Sequence, residues 1–224
     1  MELVQRVEFI KSEANGRKVL HLGCTNHPYT QESIDQGMLL HNALEAAASE
    51  IYGFDYDQEG IDTLAANGSK NLYRADLEKL EEVDLDTTFD VIIAGEMIEH
   101  LSNPGLFLTG IQRFMHSGTR LVITTINAYC AMRFATYFLR GKGGTNEMVH
   151  PDHVAYYSYK TLSLVLQRAG LRVDDFKFYD LGIEHRPYNP WYLNLINDTA
   201  VRFSPQVADG VIAVCSLNSA VNDR

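Results

Sequence analysis

The sequence alternates short apolar segments with amphipathic ones over its first 125 residues, and this alternation is its strongest constraint on the fold. Lys18–Leu22 and residues 89–94 are apolar runs of strand length, and each is followed by a glycine, as expected for strands buried on both faces of a sheet. Segments with helical spacing separate these strands, and helical crossovers join parallel strands. The sequence therefore predicts an α/β fold, with a mostly parallel sheet and helices on both of its faces.

The predicted elements divide the chain into a regular first part and a less regular second part. Strands are predicted at 18–22, 50–54, 71–74, 89–94, 120–125, 171–181 and 210–217, and helices at 3–14, 38–49, 58–67, 104–115, 129–139 and 158–169. No strong helical pattern separates the last two strands, so they are expected to form an antiparallel hairpin. No linker or repeat interrupts the 224 residues, which predicts a single domain, 1–224.

Composition argues against several kinds of partner. The chain has 19 Lys and Arg residues against 29 Asp and Glu residues, and its formal net charge is -10. This balance argues against a surface of clustered basic residues, which binding to nucleic acids or anionic lipids requires. Cys24, Cys130 and Cys215 are too widely spaced for a disulfide framework or a zinc ribbon, which favours a reducing compartment. With no signal-peptide pattern and no apolar run of membrane length, we expect a cytoplasmic protein that binds neither nucleic acid nor membrane.

An acidic residue follows the second predicted strand. Ligands of open parallel sheets bind beyond the carboxyl ends of the strands, and an acid at this position commonly accepts hydrogen bonds from the two hydroxyls of a ribose. Asp55 has this position. The alternative is a solvated acid or a cap for the helix predicted at 58–67, and the position alone leaves both interpretations open.

Several segments together resemble one protein family. They are VLHLGCTNH (19–27), IYGFDYD (51–57), YRADLEKL (73–80), FDVIIAGEMIEHLSNPGLFL (89–108), HPDHVAYYSYKTLSLVLQRAGL (150–171) and GVIAVCSL (210–217). The chain is similar to class I S-adenosylmethionine-dependent methyltransferases, in particular to the ubiquinone-type, type 11 branch that acts on small molecules. The resemblance implies a Rossmann-like seven-stranded sheet of order 3-2-1-4-5-7-6 with an antiparallel last strand. It also implies S-adenosylmethionine as cofactor, a cofactor-binding half at 1–125 and a substrate-side half at 126–224.

The resemblance assigns residues to the cofactor. Gly23 would lie against its methionine and ribose, Asp55 would hold the ribose hydroxyls, and Tyr56 would pack on the adenine. Asp76 would accept a hydrogen bond from the adenine amino group, and Gly95 would present backbone beside the sulfonium. The other assigned residues are His21, which either donates to the methionine carboxylate or is a core histidine, and Thr25, Leu77 and Glu96.

The first loop departs from the family pattern. Family members carry an acid in the first strand and a GxGxG loop, which lets backbone amides approach the cofactor. Here the acid position is His21, the loop GCTNH (23–27) keeps only the first glycine, and residues 26–37 lengthen it. Either this loop contacts the methionine end of the cofactor differently, or cofactor binding is impaired.

The candidate catalytic residues are His150, Asp152 and His153, which precede a segment that borders the acceptor pocket in resembling enzymes. Methyl transfer to an alcohol or acid needs a base, and one of the three would remove the proton. The alternative is that these residues cap and pack the following helix.

A second group with possible chemistry is the ExxEH set of Glu96, Glu99 and His100. Its spacing would place three metal-binding side chains on one helical face, as in some ubiquinone-type O-methyltransferases that it resembles. In other relatives the first glutamate lines the cofactor pocket and the histidine is structural, and we predict no metal.

Basic and aromatic residues are mixed in the second half. An anionic or sugar-like acceptor would suit guanidinium groups and aromatic faces. Candidates for such a pocket are Arg133, Arg140, Lys142, Arg186, Tyr188, Trp191 and Tyr192, whereas Tyr129, Phe134, Tyr137 and Phe138 are expected in the core or in a dimer interface.

We therefore predict methyl transfer from S-adenosylmethionine to a small-molecule acceptor, with oxygen as the expected nucleophile and a homodimer as a compatible state. One alternative is a degenerate relative that binds cofactor or a partner without turnover, because the loop has lost glycines. The other is a Rossmann enzyme that uses NAD or a nucleotide sugar. It is disfavoured because no GxGxxG opens the first helix after a strand.

Overall fold

The structure is a computed structural model, and it describes residues 2–140, 151–180, 182, 186 and 189–218. Its strands are β1 (Leu3–Val4), β2 (Lys18–Leu22), β3 (Glu50–Asp55), β4 (Leu72–Arg74), β5 (Phe89–Gly95), β6 (Met115–Ile126), β7 (Leu171–Tyr179) and β8 (Gly210–Leu217). They form one sheet of eight strands in the order β1-β7-β8-β6-β5-β2-β3-β4. Both predicted halves of the chain therefore contribute strands to the same sheet.

Counted from β2, the strands follow the predicted order 3-2-1-4-5-7-6, which confirms the fold class. The predicted strand number was too low by one, because Leu3–Val4 forms an added edge strand beside β7, with Leu3 opposite Phe178. The helix predicted at 3–14 begins only at Arg6, since the side chain of Gln5 accepts a hydrogen bond from the amide of Glu8 and caps it.

The strand directions bring most carboxyl ends to one edge of the sheet. β8 pairs antiparallel with both β6 and β7, so β6 and β7 run in the same direction. The other adjacent pairs in the described sheet are parallel. The edge reached by the carboxyl ends of β2 to β7 is called the carboxyl edge below, and it is where a ligand of such a sheet binds.

Helices flank the sheet on both faces. They are α1 (Arg6–Ala14), α2 (Thr30–Asp35), α3 (Leu40–Glu45), α4 (Gln58–Ala66), α5 (Pro104–Gly110), α6 (Ala131–Arg140), α7 (Tyr159–Arg168) and α8 (Trp191–Phe203). The prediction that no strong helix separates the last two strands was wrong, because α8 lies between them. Its amphipathic spacing buries Leu193, Asn197 and Val201, and the antiparallel pairing of β7 with β8 forms nonetheless. None of the described helices is long and apolar enough to cross a bilayer.

Each face of the sheet has its own hydrophobic core. On one face, Phe107 of α5 and Leu162 of α7 join a large cluster of strand residues. On the other face, Ile10 of α1 and Leu44 of α3 pack against a second set. Successive residues of a strand point to opposite faces, so both cores draw on the same strands and nearly every strand position is apolar.

Candidate active site

Two acidic residues lie at the ends of neighbouring strands on the carboxyl edge. Asp55 ends β3, and Asp76 follows Ala75 just beyond β4. The amide of Ala75 donates to the carbonyl of Asp55 at 2.7 Å, which extends the strand pairing up to both acids. The carboxylate of Asp55 accepts from the amides of Thr25 at 2.9 Å and Asp57 at 3.0 Å, one on each oxygen. A carboxylate oxygen has room for a second hydrogen bond, so Asp55 keeps capacity for ligand donors.

The loop after β2 directs its bulky side chains onto the start of α4. Thr25 and His27 stand where the family pattern has glycines. A Cβ on Gly60 of α4 would lie 2.7 Å from the Cβ and Cγ2 of Thr25, so Thr25 packs against a bare backbone. The ring of His27 lies 3.3 Å from Asp57, measured from Nδ1 to Oδ2. Asp57 also caps α4 by accepting from the amide of Gly60 at 3.0 Å, so Asp57 and not Asp55 is the helix cap.

Gly23 presents open backbone at the beginning of this loop. Its φ is +70°, and an added Cβ would approach no atom closer than 3.8 Å. The next residue, Cys24, is fully buried beneath the loop. Because Thr25 packs on α4 and the ring of His27 lies beside Asp57, the loop fits a ligand that approaches Gly23 through the backbone.

Tyr56 and Leu77 flank the two acids in different ways. Tyr56 is 65% exposed, and the guanidinium carbon of Arg74 lies 5.1 Å from the centre of its ring. Leu77 is partly buried against the larger core. The aromatic ring beside Asp55 is thus accessible to a planar group.

The turn after β5 holds a hydrogen-bonded network. Glu96 has a φ of +53°, which is uncommon for a residue with a side chain. Its Oε1 accepts from the hydroxyl of Tyr179 at 2.5 Å, and its Oε2 lies 3.8 Å from Nη2 of Arg6. Nε of Arg6 donates to the hydroxyl of Thr124 at 3.1 Å. Burial, followed by the charge of Glu96, raises the pKa of Tyr179 well above its ordinary value, which keeps its hydroxyl protonated as a donor.

Gly95, which precedes Glu96, is closely packed. A Cβ at Gly95 would lie 3.1 Å from Nη2 of Arg6 and 3.5 Å from Cδ2 of Leu40. Gly95 therefore lets the Arg6 side chain cross the end of β5, and its backbone lies at the carboxyl edge. Its place beside the sulfonium stays a prediction.

His21 is buried and contacts a second histidine. Its Nδ1 lies 3.2 Å from Nδ1 of His41, and the two rings are stacked with centres 5.4 Å apart. Burial lowers the pKa of both rings, and that of His21 is lowered further by His41 and Arg6. One neutral ring donates and the other accepts. This geometry matches the core-histidine alternative rather than contact with a carboxylate.

A second cluster lies on the opposite face of the sheet from Glu96. Glu99 is fully buried, and its Oε2 accepts from the hydroxyl of Thr125 at 2.8 Å. Ligand atoms of Glu99, His100 and His153 all lie within 4.8 Å of one another. The amide of Val154 donates to the carbonyl of Glu99 at 2.9 Å and holds His153 in place. Burial, followed by the charge of Glu96, raises the pKa of Glu99 to about 7.

The helical face expected for Glu96, Glu99 and His100 does not form. Ile98–His100 is a 3₁₀ turn, and the left-handed backbone of Glu96 sends its carboxylate toward Tyr179 instead of toward Glu99. Within the described residues, the group that could supply three metal ligands contains His153 in place of Glu96. The absence of a metal stays a prediction.

The three candidate bases have different surroundings. His150 lies outside the described residues. Asp152 is exposed in a turn, whereas His153 is half-buried and its ring centre lies 4.5 Å from that of His100. His153 is therefore a described candidate that a ring contact with His100 holds beside the carboxyl edge.

The predicted basic pocket does not assemble from its described arginines. Nη2 of Arg133 binds Asp209 at 2.8 Å, and Arg186 binds Asp198 through two nitrogens, at 2.7 and 3.1 Å. Lys142, Tyr188 and the side chain of Arg140 lie outside the described residues. The four aromatic residues expected in the core are exposed instead, namely Tyr129, Phe134, Tyr137 and Phe138. Their place in a dimer interface stays a prediction.

Residues 2–175 match the family model described as "Methyltransferase domain". The chain belongs to this methyltransferase family. It is similar to the ubiquinone biosynthesis O-methyltransferase of Bradyrhizobium diazoefficiens, with 24% identity over 72% of this chain and 64% of that protein. It is also similar to the enzyme of the same name from Pseudomonas aeruginosa, with 25% identity over 90% of this chain and 83% of that protein.

A solved structure extends the likeness to three dimensions. The S-adenosylmethionine-dependent methyltransferase from Mesorhizobium loti matches with a TM-score of 0.58 at 16% identity, over 94% of this chain and 95% of that chain. At this identity the match establishes a shared fold. The family match and the named relatives confirm the prediction of a class I methyltransferase that uses S-adenosylmethionine.

Sequence reasoning missed several residues that shape the methyltransferase site. Arg6 and Tyr179 reach the edge from elements that are distant in the chain, and no local pattern marks them. Gly60 carried a usable signal, because a glycine in the first turn of a helix, together with a loop that has side chains at 25 and 27 in place of glycines, suggests close packing. Arg6 and Tyr179 contact the predicted Glu96, and Gly60 contacts the predicted Thr25.

Proposed function

We propose that this methyltransferase transfers the methyl group of S-adenosylmethionine to an oxygen atom of a small-molecule acceptor. The observation that carries the proposal is the pair of acids, Asp55 and Asp76, at the ends of adjoining strands beside the open backbone of Gly23. The relatives named ubiquinone biosynthesis O-methyltransferases support oxygen as the nucleophile and a small molecule as the acceptor.

The polar groups of the edge suit the parts of the cofactor. Asp55 would accept from the ribose hydroxyls while it keeps its two backbone hydrogen bonds. Tyr56 would cover the adenine, and Asp76 would accept from the adenine amino group, with Leu77 beside it. Gly23 and Gly95 would present backbone toward the methionine and sulfonium portions. Thr25 would act through its amide, which is already fixed by Asp55.

The reaction depends mainly on the orientation of the acceptor relative to the methyl group. When bound, S-adenosylmethionine supplies an electrophilic methyl group. The chain's task is to hold the acceptor oxygen in line and to remove its proton, and proximity accounts for much of such rate enhancement. His153 would accept that proton, because its position is fixed by Glu99 and His100, whereas Asp152 lies in an exposed turn. His150 is the remaining candidate.

Calorimetric titration with S-adenosylhomocysteine tests the cofactor assignment. The wild-type chain should bind it at micromolar concentrations, and NAD should not bind. Asp55→Asn should weaken binding at least about tenfold, because hydrogen bonds to a charged acceptor contribute about 1.5–3 kcal/mol. Asp62→Asn, which changes an exposed acid of α4 bonded to Gln58, is the matched control and should bind normally.

The possible outcomes test cofactor binding, the role of Asp55 and the identity of the base separately. Failure of the wild-type chain to bind S-adenosylhomocysteine would remove the proposed function and leave the degenerate relative. Normal binding by Asp55→Asn would show that the ribose is held elsewhere. His153→Gln should leave cofactor affinity unchanged and lower turnover, and unchanged turnover would transfer the role of base to Asp152 or His150.

A further inference from the structure

A cavity of about 630 Å³ opens at the carboxyl edge, away from the residues assigned to the cofactor. Its walls come from the loop after β6, the first turns of α6 and α7, the end of β7, and the segment 204–207 before β8. This volume is in the range of small-molecule sites. Gly23, Asp55 and Asp76 do not line it, so the cavity is spatially separate from the nucleotide end of the site.

The walls of the cavity are fixed by hydrogen bonds. The side-chain amide of Asn127 donates to the carbonyls of Gln206 at 2.9 Å and Ala208 at 2.8 Å, and its oxygen accepts from the amide of Tyr129 at 3.0 Å. The amide of Ala128 donates to the carbonyl of Tyr157 at 2.8 Å and ties the loop to the approach of α7. Because these contacts join the separate wall segments, the cavity is preformed.

Aromatic rings dominate the apolar part of the lining. Phe178 is buried at 4% exposure and forms part of the inner wall, whereas Tyr129 and Phe134 are each 70% exposed at the rim. Tyr159 also lines the cavity, and its ring packs edge-on against Phe176 with centres 4.8 Å apart. A flat aromatic ligand would bury exposed ring surface here and gain offset or edge-to-face contacts.

The polar part of the lining favours negative charge. Lys160 lines the cavity, and none of the other lining residues is acidic, although the chain as a whole has a net charge of -10. Lys160 belongs to the first turn of α7, where the backbone amides lack helical acceptors and add positive potential. The cap of this helix, Ser158, is also a lining residue.

We propose that this cavity is the acceptor pocket and that it takes an aromatic molecule bearing an anionic group, which Lys160 recognises. The inference rests on the proposed function, because it names the acceptor class for that reaction. Neither His153 nor Gly95 lines the cavity, so the reacting oxygen of the acceptor would extend out of the cavity toward them. Lys160 would act on specificity and not on chemistry. It supplies the cation that Arg133 and Arg186 do not, since both of those are engaged with aspartates.

A matched pair of fluorescent probes tests the proposal. 8-Anilino-1-naphthalenesulfonate carries a sulfonate, and N-phenyl-1-naphthylamine has the same ring system without it. Both should bind the wild-type chain. Lys160→Gln should lower the affinity for the sulfonate probe roughly tenfold, as expected for loss of one charged contact. Its affinity for the neutral probe should stay unchanged. Arg168→Gln, at the other end of α7 and outside the cavity lining, should change neither.

A bulky side chain inside the cavity should abolish binding of both probes. Ala131→Trp places an indole inside the cavity, and Ser204→Trp does so from the opposite wall, so a folding defect in one variant does not decide the test. Unchanged binding of both probes to the folded variants would show that they bind elsewhere and would overturn the proposal. An equal effect of Lys160→Gln on both probes would overturn the role of the anionic group.

A titration with S-adenosylhomocysteine separates this proposal from the proposed function. Wild-type chain saturated with S-adenosylhomocysteine should still bind both probes, because the cavity and the cofactor residues are separate. Displacement of the probes would show that the cavity belongs to the cofactor site and would contradict the inference. Normal binding of S-adenosylhomocysteine by Ala131→Trp would show that any loss of probe binding is confined to the cavity.

Discussion

The two ends of the carboxyl edge hold their polar groups by different means. Near β3 and β4, the carboxylates of Asp55, Asp57 and Asp76 accept hydrogen bonds from backbone amides of their own turns or of the adjoining loop. Near β5 to β7, side chains bond to partners far away in the chain, as the buried Tyr179 does to Glu96 and the buried Thr125 does to Glu99. The first arrangement is local and partly solvated, and the second depends on the whole fold.

This difference predicts where substitutions act. A change among the local acids should mainly alter cofactor affinity, because their surroundings remain solvated and adjustable. A change in the buried network should alter stability, because an unpaired buried group costs about 1–3 kcal/mol or more. The following variants test this division, beginning with the largest expected effect.

Gly210→Ala should destabilise the protein most. The ring of Tyr179 occupies the space of a Cβ at Gly210, and the ring is held in place by its hydrogen bond to Glu96. We expect the free energy of unfolding to fall by at least about 3 kcal/mol, the upper range for overpacking a core, in urea denaturation.

The matched control is Gly16→Ala. Gly16 has a φ of +68° but no atom within 4 Å of an added Cβ, so only backbone strain of about 1 kcal/mol is expected. If both variants lost the same stability, the close approach of Tyr179 would not be the cause.

Glu99→Gln should remove a pH dependence of stability. Burial raises the pKa of Glu99 from 4.5 to about 7, so the folded state binds this proton more tightly than the unfolded state does. Stability is therefore lost as pH rises from about 4.5 through 7, by about 3 kcal/mol for a shift of this size.

Urea denaturation at pH 5 and pH 8.5 measures this effect. Glutamine can still accept from Thr125 and carries no charge, so the variant should gain stability relative to wild type as pH rises. Glu59→Gln, at an exposed position in the first turn of α4, should follow wild type. A constant difference between Glu99→Gln and wild type at both pH values would contradict the raised pKa.

The sheet and the acids at its end could be predicted because their causes are local. A buried strand followed by Asp55 is visible within one short segment, and so is the alternation that sets the strand order. The helix α8 was missed because its amphipathic spacing lies among Pro, Asn and aromatic residues, which individually indicate a loop. The added strand β1 was missed because two residues carry no periodicity.

The rest of the candidate site depends on tertiary contacts that the sequence does not display. The ExxEH spacing suggested one helical face, but the left-handed Glu96 divides the set between two faces of the sheet. Likewise, Arg133 was a candidate for an anion pocket, and its partner Asp209 became visible only when β8 was placed beside β6.

Gly60→Ala should lower both stability and cofactor affinity, and adding Thr25→Gly should reverse part of both losses. An added Cβ at Gly60 would press on Thr25 and Asp57, which should cost about 2 kcal/mol of stability and lower the affinity for S-adenosylhomocysteine. The double variant relieves the contact with Thr25 but not the contact with Asp57, so part of the loss should be recovered. Equal affinity of the single and double variants would contradict the pairing of these two positions.

The smallest expected effect belongs to the histidine pair, and it has the opposite sign to that of Glu99. Burial lowers the pKa of His21 and His41, so stability is present above the ordinary value of 6.5 and is lost as pH falls below it. Between pH 6.5 and 5 one histidine can contribute at most about 2 kcal/mol. His41→Gln should reduce the pH dependence of thermal stability over this range, because the titration of His41 is removed while burial still lowers the pKa of His21. His116→Gln, at an exposed position near the start of β6, should keep the wild-type slope. A wild-type slope in His41→Gln would mean that other groups set the loss of stability in acid.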